Sequence, residues 1–186
     1  MVASLIAAVL IAAAPAPLEV VKTGNTDVQK AASTKGATAE QLSKVVDRFV
    51  DFGELSKRAL GDKWDKLTAE QRKEFSGTME GLLRASYAQK ALGSSRPKVT
   101  YGKESVQGNE ASVATTMTVN RDQFPVEYKL FRANDKSEWR IYDIVTDDVS
   151  LLETYHTQFN KLLNDKGFDG LLATLKAKRA QLEKAL

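Results

Sequence analysis

The stretch VTYGKESVQGNEASVATTMTVNRDQFPVEYKLFRANDKSEWRIYDIV, residues 99–145, decides the fold. Its side chains change character at every residue, not at every third or fourth. Val113, Thr115, Met117 and Val119 alternate with Ser112, Ala114, Thr116 and Thr118; Phe124, Val126, Tyr128 and Leu130 alternate with Pro125, Glu127 and Lys129. A period of two puts alternate side chains on one face of a strand. Residues 99–106 read as the strand before these two, with residues 107–110 as its turn. Residues 134–137 turn the chain again, into a strand at 139–145. The pattern predicts an antiparallel meander of four strands. Pro125 has no N–H for a ladder, which predicts that its strand lies at an edge or begins there.

On both sides of this block the period becomes helical. Residues 18–33 read as a short helix that breaks at Lys35-Gly36-Ala37. Thr38 and Gln41 form a capping box, and Leu42, Val45, Val46, Phe49 and Val50 follow at helical spacing. Residues 52–60 carry Phe52, Leu55, Ala59 and Leu60 on one side and end at Gly61. A second capping box, Thr68 with Gln71, opens the longest helix, to about residue 92, with Phe75, Met79, Leu82, Leu83 and Tyr87 as its apolar stripe. After the strands, Ser150 and Glu153 form a third box. The helix they start carries Leu152, Tyr155, Phe159, Leu162 and Leu163 and closes at Gly167, and Asp169 is suited to cap a last one. Helices, then a sheet, then helices make an α+β chain.

Residues 5–14 (LIAAVLIAAA) form an apolar run too short to span a bilayer, followed by Pro15 and Pro17. They predict an export signal over residues 1–16, a single domain over residues 17–186 and a periplasmic location. The 186 residues include 27 basic and 24 acidic side chains, a formal charge of +3. That excess is spread along the chain, unlike the dense basic stripe of a nucleic-acid binder. There is no cysteine and one histidine, His156. Thiolate chemistry, disulfides and multi-histidine metal centres are thereby excluded.

Several segments together resemble the MlaC (toluene-tolerance) family. The first is Asp51-Phe52-Gly53-Glu54-Leu55-Ser56-Lys57-Arg58-Ala59-Leu60-Gly61-Asp62-Lys63-Trp64: an aspartate–phenylalanine pair, a short basic helix, leucine–glycine, then an aromatic. The helix start at Thr68 to Gln71, Phe75 and Tyr87 follow in order. Phe124-Pro125-Val126-Glu127-Tyr128, Trp139-Arg140-Ile141-Tyr142-Asp143-Ile144, Val149-Ser150-Leu151, Tyr155-His156-Thr157-Gln158-Phe159-Asn160 and Gly167-Phe168-Asp169-Gly170-Leu171 complete the set. The likeness spans residues 18–182. The chain departs from it at His156, where the family commonly has arginine, and in a short loop before Val99.

The resemblance implies an NTF2-like curved sheet wrapped by N-terminal and C-terminal helices around an apolar pocket for phospholipid acyl chains. It further implies a periplasmic carrier, not an enzyme, with no cofactor beyond the bound phospholipid. Its implied partners are an inner-membrane ABC transporter bearing an MCE-domain subunit and an outer-membrane lipoprotein–porin complex.

Within that frame the strand pattern offers an inward row of Val113, Met117, Val119, Val126, Tyr128, Leu130, Trp139 and Ile141, joined by Met79, Leu82 and Leu83 from the long helix. The same residues also suit an ordinary packed core. Arg58 is the candidate for a phosphate headgroup, and no metal ligands are expected. Two other classes of function remain: a carrier of a hopanoid-like polycyclic lipid, and an isomerase or dehydratase using Asp143, which alternation with Trp139 and Ile141 would turn inward. Against the enzyme, Asp143 is also placed to cap backbone donors where the sheet meets the last helices. An accessory protein whose pocket is filled by its own side chains is a further possibility.

Overall fold

A computed structural model describes residues 14–93 and 96–185. The signal-peptide segment lies outside these residues except for residues 14–16. The helices are α1 (Pro17–Ser33), α2 (Ala39–Val46), α3 (Phe52–Leu60), α4 (Ala69–Gly93) and α5 (Leu151–Glu183), with a 3₁₀ turn at Gly61–Lys66. All three predicted capping boxes begin helices. Thr38 and Thr68 accept from the N–H of Gln41 and Gln71, whose side chains return to the threonine N–H groups, and Ser150 Oγ accepts from Glu153 N–H. In α5 the backbone leaves helical geometry at Gly167 (φ 67°, ψ −174°), the left-handed region that glycine enters without a steric cost.

The sheet has five strands in the order β1 (Lys98–Gln107), β2 (Glu110–Val119), β3 (Asp122–Phe131), β4 (Arg140–Thr146) and β5 (Val149–Ser150), every neighbouring pair antiparallel. The expected four strands are present, and β5 corrects the count. It pairs through Val145–Ser150 and Thr146–Val149. The turn between β4 and β5 is Asp147-Asp148, both with positive φ (48° and 62°), the geometry of a two-residue reverse turn. Asp-Asp lacks the glycine that makes such a turn conspicuous in a sequence.

Pro125 is also corrected: it lies in β3, a central strand, paired with Thr116 of β2. The ladder from β3 to β4 ends at the pair Val126–Thr146, and the Pro125 carbonyl accepts from Asp147 N–H at 3.2 Å. In an extended strand a residue's nitrogen and carbonyl point to the same side. The missing N–H therefore faces the side where β4 has already ended, so only the local edge tolerates proline.

Two irregularities bend the sheet. The β1–β2 register shifts between Tyr101 and Glu104, and the β3–β4 register shifts so that Lys129 faces Asp143 while Leu130 faces Ile141. Each inserts an extra residue and tightens the local twist. The free stretch of β4 is covered by the α2–α3 link: Ile141 N–H donates to Phe49 O (2.7 Å), Asp51 N–H donates to Ile141 O (2.8 Å), and Arg140 Nη2 donates to the carbonyls of Asp47 and Val50.

Two apolar clusters result. One joins Leu55, Ala59 and Leu60 of α3, Phe75, Met79, Leu82 and Leu83 of α4, and Phe159, Leu171 and Leu175 of α5, with Phe75 and Phe159 edge to face at 5.6 Å. The other lies between α1 and the sheet, where Val20 and Val21 meet Ala111, Val113, Val126, Tyr128, Leu130, Trp139 and Ile141.

Candidate functional site

Alternation in β2 and β3 does what the sequence implied. Ala111 faces Leu130, Val113 faces Tyr128 and Thr115 faces Val126, all on the inner face. Thr115 adds a hydroxyl to this face, satisfied by the Val126 carbonyl at 2.9 Å. The deep part of the row is buried, and the row becomes exposed toward its far end, where Phe124, the partner of Met117, is 36% exposed.

Of the predicted row, Val113, Val126, Tyr128, Leu130, Trp139 and Ile141 come together in the sheet cluster, with Met117 partly buried against it. Val119 is half-buried at the end of β2. Met79, Leu82 and Leu83 are not brought to this face; they belong to the helical cluster.

The row is roofed chiefly by α1. Its buried positions are Pro17, Val20, Val21 and Gly24, and a Cβ on Gly24 would lie 3.2 Å from the Phe49 ring, so glycine lets the helix close on that ring. Leu18 N–H donates to a Glu104 carboxylate oxygen at 2.6 Å, and Gln29 Nε2 donates to Pro97 O at 3.0 Å, pinning α1 along β1. Over the middle of the row the Tyr128 hydroxyl donates to Asn25 Oδ1 at 3.1 Å. Burial pushes the Tyr128 phenol well above its ordinary range, and nearby Tyr87 and Tyr101 add to this. Burial also pushes Tyr87 up to about 12. Asn25, Tyr87 and Tyr101 were not among the predicted site residues. The signal for Asn25 was its place four residues after Val21, on the same helical face.

Arg58 lies on the other side of the sheet. Its Nε bonds Glu54 at 2.7 Å and its Nη2 bonds Glu110 at 2.6 Å, with the guanidinium over the Tyr142 ring at 3.9 Å. It does not join the row.

Asp143 does not face inward. The extra residue in β4 inverts the alternation after Ile141, so Asp143 stands opposite Lys129 on the outer face. Only 1% exposed, its Oδ1 accepts from the N–H groups of Ile144 (2.8 Å) and Leu152 (2.9 Å), and its Oδ2 accepts from the Ser150 hydroxyl (2.7 Å). The carboxylate caps α5 and ties it to the sheet. His156 is similarly engaged: Nδ1 lies 3.2 Å from Ala59 O, which can only accept, and Nε2 lies 3.0 Å from Asn160 Nδ2, which can only donate. Both ring nitrogens are thus engaged by structural partners, an arrangement that suits the tautomer with its proton on Nδ1.

The clefts of the helical side are of another kind. One groove of about 380 Å³ is lined by Asp47, Val50, Asp51, Phe52, Gly53, Glu80, Arg84 and Arg140. Three of its charges are paired with one another: Arg84 forks onto Asp47 at 2.8 and 2.6 Å and also meets Glu80. No group of three or more histidine, aspartate or glutamate side chains able to hold a metal occurs among the described residues, and no helix among them is long and apolar enough to cross a membrane.

Comparison with known proteins follows the same lines. The profile of the family described as "MlaC protein" matches residues 18–177. The intermembrane phospholipid transport system binding protein MlaC of Haemophilus influenzae is 26% identical over 137 residues, which are 72% of this chain and 64% of that protein. The chain thus spans less than two thirds of that relative's length. A phospholipid-binding protein from Ralstonia solanacearum, solved in complex with a phospholipid, superposes with a TM-score of 0.80 at 24% identity, over 91% of this chain and 99% of that one. This likeness shows a shared fold.

Proposed function

The chain belongs to the MlaC protein family, and on that premise we propose that it is a periplasmic phospholipid carrier. In this reading the acyl chains lie along the inner row of the sheet, beneath α1. One observation carries the proposal: a continuous apolar row that is buried at one end, at Leu130 and Val113, and opens at the other, at Phe124. A lipid needs an apolar wall for its chains and a wet end for its headgroup. The names of the Haemophilus and Ralstonia proteins support phospholipid as the cargo.

Energetics favour transfer over permanent storage. Burying about 30 methylene groups from water contributes ~24 kcal/mol gross, at ~0.8 kcal/mol each, beyond the practical affinity ceiling of roughly 18–21 kcal/mol. A bilayer already shields those groups, so moving a lipid from membrane to protein exchanges one apolar surrounding for another at small net cost. The partners proposed are an inner-membrane ABC transporter with an MCE-domain subunit and an outer-membrane lipoprotein–porin complex, and export is through residues 1–16. Binding without catalysis suits the two groups most able to do acid–base work: the Asp143 oxygens and the His156 nitrogens are held by structural partners.

Mass spectrometry of lipid extracted from the purified protein tests this. Phospholipid at about one per chain is expected. A polycyclic lipid would replace the cargo, and no lipid at all would overturn the carrier reading.

A further inference from the structure

Within the apolar interior under α1, one polar atom is left over. Asn25 Oδ1 accepts the Tyr128 hydroxyl, while Asn25 Nδ2 is shut off from solvent and has no hydrogen-bond partner among the described residues. Exchanging the amide's oxygen and nitrogen would leave the oxygen alone instead, so either orientation leaves half of the amide unused. An unpaired buried amide group costs free energy unless a ligand or water meets it. Its position is specific: halfway along the row, on the one side-chain bond joining α1 to β3.

The chemistry of the surroundings selects the ligand group. The groups around the Tyr128 hydroxyl include Asn25, Tyr87 and Tyr101, none of them a carboxylate or an ammonium. Arg58 is on the opposite face with its charge matched by Glu54 and Glu110. Lys22 of α1 sits over the Tyr101 ring, 5.9 Å from its centroid, but it is partly exposed and already bonded to Glu19 at 2.8 Å, so a phosphate buried at Asn25 would lack a free cation, which is costly. A neutral acceptor oxygen suits an amide N–H and a phenol O–H instead. In a phospholipid the neutral acceptors that accompany the acyl chains out of water are the ester carbonyls.

We infer that Asn25 and Tyr128 form a polar clamp that hydrogen-bonds an ester carbonyl of the bound lipid, setting how deeply its chains enter the row. This rests on the phospholipid reading above and adds a recognition element to it: selection for diacyl esters over lipids lacking the carbonyl. The Tyr128 hydroxyl rests on Asn25 in the free protein; with lipid bound it turns to the carbonyl beside Asn25 Nδ2.

The test uses the delipidated full chain and two phosphatidylethanolamines of equal chain length, one diester and one diether, competed in equal amounts and read by native mass spectrometry. The wild type is expected to prefer the diester by about fivefold, since the carbonyl gains two hydrogen bonds while the Tyr128–Asn25 bond is given up, a net gain of one neutral hydrogen bond. Tyr128→Phe and Asn25→Leu are each expected to reduce the preference, and the double variant to abolish it while still binding both lipids. Equal binding of ester and ether by the wild type would overturn the clamp whatever the variants do, and would mean that Asn25 meets water only. A preference that persists in the double variant would also overturn it. If the wild type took up neither lipid, the carrier reading itself would fail, an outcome distinct from binding both equally.

Discussion

Asp143 holds three donors with two oxygens, at 2.7 to 2.9 Å, in a place closed to water. Asp143→Ala strands the Leu152 and Ile144 N–H groups and the Ser150 hydroxyl. It is expected to lower stability by about 2 kcal/mol, read from urea unfolding, with the co-purified lipid unchanged. If the variant instead kept its stability and lost its lipid, Asp143 would belong to the site and not to the frame. The sequence permitted part of this reading, because Asp143 lies seven residues before Ser150, which opens a capping box. The facing of the side chain was hidden by the bulge after Ile141, since a single inserted residue reverses strand parity while leaving composition untouched. Arg58 was hidden for a different reason: its partner Glu110 is 52 residues away, and a basic helix gives no sign of which carboxylate will meet it.

The β4–β5 hairpin turns on two non-glycine residues in the left-handed region, Asp147 and Asp148. An asparagine followed by a glycine suits that turn better, so the double change Asp147→Asn with Asp148→Gly is expected to stabilise the fold by about 0.5 kcal/mol. The measurement is the thermal midpoint, which should rise by about 1 to 2 °C for a domain of this size. A fall would mean that one of the aspartates makes a contact that outweighs the turn strain. The helices were legible because each start carried its own local chemistry: Thr38, Thr68 and Ser150 with a glutamine or glutamate three residues later. The four longer strands were legible from their period of two. A strand of two residues has no period to display, and β5 entered the sequence reading as the cap of the helix that follows it and as part of one family segment, not as a strand.

Across the whole molecule the predicted apolar site residues, Val119 apart, divide between two clusters, a separation that periodicity could not show because it reports which face of an element is buried and not what covers it. Val126 tests the sheet cluster. If lipid chains occupy the row, Val126→Trp fills their space: bound phospholipid is expected to fall sharply, while the delipidated protein loses less than the 1 to 3 kcal/mol typical of overpacking. Glu127→Gln, on the other face, is the control and should change neither lipid stoichiometry nor thermal stability. Strong destabilisation together with an empty wild type would mean that the row is only core. The order of the strands bears on how the chain assembles. Every strand pairs with the next in sequence, so each pairing closes a short loop, and the meander can form strand by strand. The ties from α1 to the sheet join residues 68 to 103 positions apart and close far longer loops. The roof over the row is thus tied to the meander by long-loop contacts alone, and a molecule lodged beneath it would add to the few bonds that hold the two together.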